Sequence, residues 1–82
     1  MKGKPLFIRA EWDEEAIVWV ATSDDVPGLA TEAVTMEDLI EKLKAMIPEL
    51  LMANDTVVED VVPFEIITRR FELTRPFALR LR

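Results

Sequence analysis

Residues 35–51 read TMEDLIEKLKAMIPELL. Met36, Leu39, Ile40, Leu43, Met46, Ile47, Leu50 and Leu51 recur at helical spacing and line one face of a helix about four turns long. Glu37, Asp38, Glu41, Lys42, Lys44 and Glu49 fall off that stripe. Thr35 is the expected N-cap, with Asp38 in the capping-box position and Val34 and Leu39 at the two ends of a hydrophobic staple. Pro48 has no N–H to give the Lys44 carbonyl, so a break or kink is expected there; the unbroken phase of the stripe favours the kink. Asn54 is the expected C-terminal stop.

Outward from this helix the period drops to two. Over residues 5–12, Leu6, Ile8, Ala10 and Trp12 fall on one face and Phe7, Arg9 and Glu11 on the other, which predicts a strand. Asp13, Glu14 and Glu15 make a charged turn. Residues 16–22 form a second, β-branched and aromatic strand, and the short connection makes the two an antiparallel hairpin. Its faces are Ile17, Trp19 and Ala21 against Val18 and Val20, with Trp12 and Trp19 facing each other across the hairpin. In Val26-Pro27-Gly28-Leu29, Pro27 presets φ and Gly28 accepts the positive φ that a type II turn needs. Residues 29–33 make a short third strand. Beyond the helix, 55–62 read as a loop and 63–73 as a long fourth strand. Residues 77–82 alternate again, as a fifth strand or an arm. The fold class is therefore α+β, ordered β-β-β-α-β, with one helix packed on a small antiparallel sheet and a C-terminal tail or extra strand. It is a single domain over 1–82, with its core at about 5–73 and a basic tail at 74–82.

Composition narrows the chemistry. The 82 residues include no Cys and no His, which removes disulfides, thiolate zinc sites, cysteine nucleophiles and imidazole bases. Ser23 has no base to activate it. Gly3 and Gly28 are the only glycines, too few for a phosphate loop. The carboxylates at 11–15 and 24–25 lack the alternating spacing of an EF-hand and read as turn polarity. No enzyme activity, cofactor or metal is expected. The apolar run at 16–21 is too short to span a bilayer and no leader-like segment follows Met1, so a cytoplasmic setting is expected.

Charge is unevenly divided within the net −6. Residues 1–68 hold 5 basic and 15 acidic residues; residues 69–82 hold five arginines against Glu72. The acidic body argues against a protein that mainly grips phosphates, and the basic tail is suited to docking on it or on a neighbour's. A compact chain of 9.4 kDa keeps roughly 5,000 Å² exposed. The second and fourth strands are apolar on both faces, and one helix covers only one face. Cover for the other face is expected from a second subunit, a partner protein or the chain's own tail; a homo-oligomer is the leading expectation, with Val18, Val20, Phe71, Leu73, Phe77 and Leu79 at its interface.

The run Trp12-Asp13-Glu14-Glu15-Ala16, the strand Val18-Trp19-Val20-Ala21, the turn Asp24-Asp25-Val26-Pro27-Gly28-Leu29, and the helix opened by Thr35 together resemble the HicB antitoxin N-terminal domain. The resemblance covers roughly residues 6–73. It implies a β-β-β-α-β sheet with the helix on one face, similar to a truncated double-stranded-RNA-binding or RNase H-like core. It also implies oligomers and a role in blocking a small basic HicA-type ribonuclease toxin. Acidic residues suit such a partner, and Asp13, Glu14, Glu15, Asp24 and Asp25 are the expected contacts. Direct DNA binding is not expected, because 82 residues leave no room for the second domain of full HicB antitoxins. The alternative is an orphan oligomeric module that binds a small ligand or peptide, without a toxin partner.

Overall fold

The structure, a computed structural model, describes residues 4–58 and 60–76. The chain forms β1 (Leu6–Asp13), β2 (Val18–Thr22), β3 (Ala30–Ala33), α1 (Met36–Ala53) and β4 (Phe64–Arg69). The α+β class and the β-β-β-α-β order are as expected. The four strands lie in the order β3-β2-β1-β4. β2 is antiparallel to both β1 and β3. β4 runs parallel to β1, from Leu6 opposite Phe64 to Glu11 opposite Arg69, so the sheet is mixed rather than wholly antiparallel. The reason is the crossover. β3 and β4 run the same way, and parallel strands need a long connection, here α1.

Side chains with period two from the strands meet a helical stripe from α1. Leu39, Leu43, Ile47 and Leu51 are buried against Ile8, Ala10, Ala21 and Ala33, with Val26 and Leu29 completing the core. Ala10 pairs directly with Ala21 across the hairpin. Small side chains at Ala21 and Ala33 let the helix sit close to β2 and β3. α1 lies over β2 and β3, and Val58 and Val62 of the following loop pack beside Phe64 and Ile66 on the other half.

The ends of α1 are set by side chains. Thr35 Oγ1 accepts from the Asp38 N–H at 3.1 Å. Asn54 is the C-cap, its backbone N–H donating to Leu50 and Leu51 carbonyls and its Nδ2 to the Leu50 carbonyl at 2.8 Å. Pro48 does not break the helix, which runs unbroken from Met36 to Ala53. Ile47 and Leu51, on either side of Pro48, are both anchored in the core and hold the last turn in place.

Two strands are shorter than expected. β2 begins at Val18 because residues 14–17 are consumed by the hairpin turn, so Ile17 does not join the face of Trp19 and Ala21. β4 ends at Arg69, not at 73. A fifth strand over 77–82 falls outside the described residues. Among the described residues, no helix is long and apolar enough to cross a membrane.

The 26–29 turn forms as expected, with the Leu29 N–H bonded to the Val26 carbonyl at 3.1 Å and Gly28 at φ +86°. A Cβ at Gly28 would meet only Leu50 Cδ2, at an ordinary 3.6 Å. The cost of a side chain here is thus backbone strain and not a clash. Gly28→Ala and Gly28→Val should each destabilise by about 1–2 kcal/mol, and Gly28→Asn by less, since Asn tolerates positive φ. Urea denaturation measures this, and equal midpoints for all three and the parent would contradict it.

Candidate interaction surface

The face of the sheet turned away from α1 is set by alternation. β1 contributes Phe7, Arg9, Glu11 and Asp13; β2 adds Val18, Val20 and Thr22; β3 adds Ala30 and Glu32; and β4 adds Glu65, Ile67 and Arg69. The apolar residues do not make one continuous sheet of grease. Phe7 and Ile67, 47% and 46% exposed, form one island on neighbouring strands. Val18 and Val20 form another on β2. Between them, Glu11 sits beside both Val20 and Arg69, and Arg9 sits beside Ile67. The chain exposes 6505 Å², against roughly 5,000 Å² for a compact chain of its mass.

The five acidic residues expected to contact a partner are not one patch. Asp13, Glu14 and Glu15 lie at the hairpin tip, and Asp24 and Asp25 at the opposite end of β2, beside Phe7. Asp13 lies six positions beyond Phe7 along β1, about 20 Å away. Three of the five already have work inside the chain. Asp13 Oδ1 accepts from the N–H groups of Glu15 and Ala16, at 3.0 and 3.1 Å, and the Ile17 N–H bonds the Asp13 carbonyl at 2.7 Å. That turn holds Ile17 at φ +59°, a strained conformation for a β-branched residue. Asp24 pairs with Arg9 at 3.3 Å, in the open.

Asp25 and Ser23 do something that local sequence reading missed. Ser23 Oγ donates to the Phe7 carbonyl at 2.5 Å and accepts from the Asp25 N–H at 3.0 Å. Asp25 Oδ2 accepts from the Phe7 N–H at 2.8 Å. β2 has ended at Thr22, so these two side chains supply Phe7 with the bonds a neighbouring strand would have made. Lys4, Pro5, Phe7, Arg9 and Glu65 join them around a shallow depression of about 500 Å³. Among the described residues, no three carboxylates converge as a metal site would require.

The expected oligomer residues are likewise split. Val18 and Val20 are half-buried on the helix-free face. Phe71 and Leu73, 74% and 83% exposed, follow β4 and line a cleft of about 340 Å³ with Trp12, Glu14 and Glu72. Phe77 and Leu79 lie outside the described residues. Trp12 and Trp19 do pair across the hairpin, edge to face at 5.3 Å between centroids. Sequence reading missed Arg70, whose guanidinium carbon lies 4.4 Å from the Trp12 ring centroid while its Nε bonds Glu72 Oε2 at 2.6 Å. Continuing the parallel register one step beyond Arg69 puts Arg70 opposite Trp12, and this is the signal that leads to it. A separate apolar groove of about 300 Å³ runs between α1 and the loop before β4, lined by Leu43, Ile47, Pro48, Val58, Val62 and Phe64 among others.

These features define a small mixed-sheet α+β domain in which, among the described residues, one sheet face has no helix over it and the ends are acidic. Residues 5–78 match the family described as "Domain of unknown function (DUF1902)", and the chain belongs to that family. No curated protein matches it. Among solved structures it is similar to the hypothetical protein TTHA1013 from the extremely thermophilic bacterium Thermus thermophilus. The two are 49% identical over 88% of this chain and 99% of that one, with a TM-score of 0.67.

Ser23→Ala should cost about 1–2 kcal/mol, because it leaves a strand carbonyl and the Asp25 N–H short of a partner. Asp24→Ala should cost less than about 0.5 kcal/mol, since its ion pair is exposed. Thermal melts of the two variants decide; equal losses would mean that the strand-completing role is wrongly assigned.

Proposed function

We propose that this chain is a non-catalytic, cytoplasmic protein-interaction domain resembling the HicB antitoxin N-terminal domain. In this reading it neutralises a small basic HicA-type ribonuclease toxin and also associates with itself. The observation that carries the reading is the sheet face that α1 leaves uncovered, where exposed Phe7 and Ile67 alternate with charged residues. Mixed apolar and charged surface of this kind suits a protein partner.

The carboxylates divide by availability. Asp13 and Asp25 hold backbone N–H groups and Asp24 holds Arg9, so they are poorly placed to serve as catalytic groups or as the main contacts. Glu14 and Glu15 are exposed at the hairpin tip and are the residues on which a basic toxin would bear. Complementary charge there speeds encounter more than it deepens affinity. The ligand-module alternative draws its support from the apolar groove beside Pro48.

The test is titration of a purified HicA-type ribonuclease with this chain, at low and high salt. The double variant Glu14→Lys/Glu15→Lys should slow association by about tenfold at low salt and leave the melting curve within about 0.5 kcal/mol of the parent. Failure of the parent chain to bind any such toxin or to inhibit its ribonuclease activity would defeat the toxin reading.

A further inference from the structure

The two edges of the sheet differ in how they are closed. β3 is four residues long, and Lys42 Nζ, reaching from α1, donates to its Glu32 carbonyl. β4 is six residues long, and among the described residues nothing pairs with its outer side. Beyond Arg69 its alternation continues into Phe71 and Leu73, which stay exposed. Unpaired edges of this kind take a further strand unless charge forbids it.

Charge here forbids some pairings and favours one. Consider two copies of β4 running antiparallel about a two-fold axis. A register centred on Glu65 sets Glu65 against itself, and one centred on Arg69 sets Arg69 against itself. Centring on Ile66 or Thr68 sets the charged residues against apolar ones. Centring on Ile67 sets Glu65 of each copy opposite Arg69 of the other, twice, with Ile67 against Ile67. The same register carries Phe71 to Pro63 of the second copy and Leu73 to the exposed Val61.

We propose that the β4 edge is a self-recognition site: two copies of this chain pair through it, antiparallel and centred on Ile67, into one eight-stranded sheet. Both helices then lie on the same side, and the two helix-free faces join into one surface. The pairing rests on the protein-interaction reading given above and names one of the partners, independently of any toxin.

The experiment uses the full chain in sedimentation equilibrium, with circular dichroism to check folding. The parent should give twice its 9.4 kDa. Glu65→Arg and Arg69→Glu should each weaken the dimer by about tenfold, since each replaces two opposed charge pairs by two like pairs. Mixing these two variants, or combining them in one chain, should restore it. Ile67→Cys, in a chain with no other cysteine, should crosslink on oxidation, whereas Ile17→Cys at the hairpin tip should not.

A parent that stays at 9.4 kDa at its highest soluble concentration overturns the proposal. So does a dimer indifferent to both charge reversals, or an Ile67→Cys chain that crosslinks no better than the Ile17→Cys control. If toxin binding survives while the pairing fails, the interaction reading stands and only the edge assignment falls. If charge-swap rescue succeeds and no toxin binds, the reverse holds.

Discussion

Leu39, Leu43, Ile47 and Leu51 of α1 rest on Ala10, Ala21 and Ala33 of the sheet, and this contact sets both the thickness of the domain and its limits. Burying four large aliphatic side chains stabilises by very roughly 8 kcal/mol, comparable to the whole net stability of a small domain. The contact also exhausts the chain's only helix among the described residues. At 18 residues α1 is about 27 Å long, enough to cover one side of a four-stranded sheet, and among the described residues no second helix covers the other. The 58–62 loop helps on the helix side alone, through Val58 and Val62.

The elements legible in the sequence are those whose signals are local. Thr35 and Asn54 mark the ends of α1 through side-chain bonds to backbone a few residues away. Gly28 marks its turn because one residue must take a positive φ. Strand faces follow from alternation, which is why Ile8, Ala10 and Ala21 are buried as expected. What sequence reading misses depends on distant partners. The direction of β4 is decided by where a crossover lands, and its end by where β1 turns away into the hairpin. Pro48 taken alone signals a helix break, but the unbroken phase of the stripe across it already favours continuation, and the buried Ile47 and Leu51 on either side hold the helix together.

The same division runs through the candidate surface. Acidic residues at 13–15 and 24–25 look alike in sequence, as exposed charge near turns. In the fold, Asp13 fastens its own turn, a bond over two or three residues that sequence analysis is able to anticipate. Asp25 completes the ladder at Phe7, 18 residues away, and no pattern in its neighbourhood announces that. Arg70 belongs to the same class, since its place on Trp12 follows only once the parallel register is known. The residues left with no such internal duty, Glu14 and Glu15, are thereby distinguished from neighbours of identical charge.

The parallel pairing of Leu6 with Phe64 also governs the order in which the molecule is made. The hairpin, β3 and α1 form from contacts close in the chain and are able to assemble while synthesis continues. One side of β1 then stays open on the ribosome until β4 has emerged. Contacts between such distant segments form slowly, and an open edge is exposed to misassembly for as long as they are missing. A nascent chain halted in the loop after α1 would therefore present the backbone of β1 as a docking strand, a vulnerability that the finished protein has moved outward to β4.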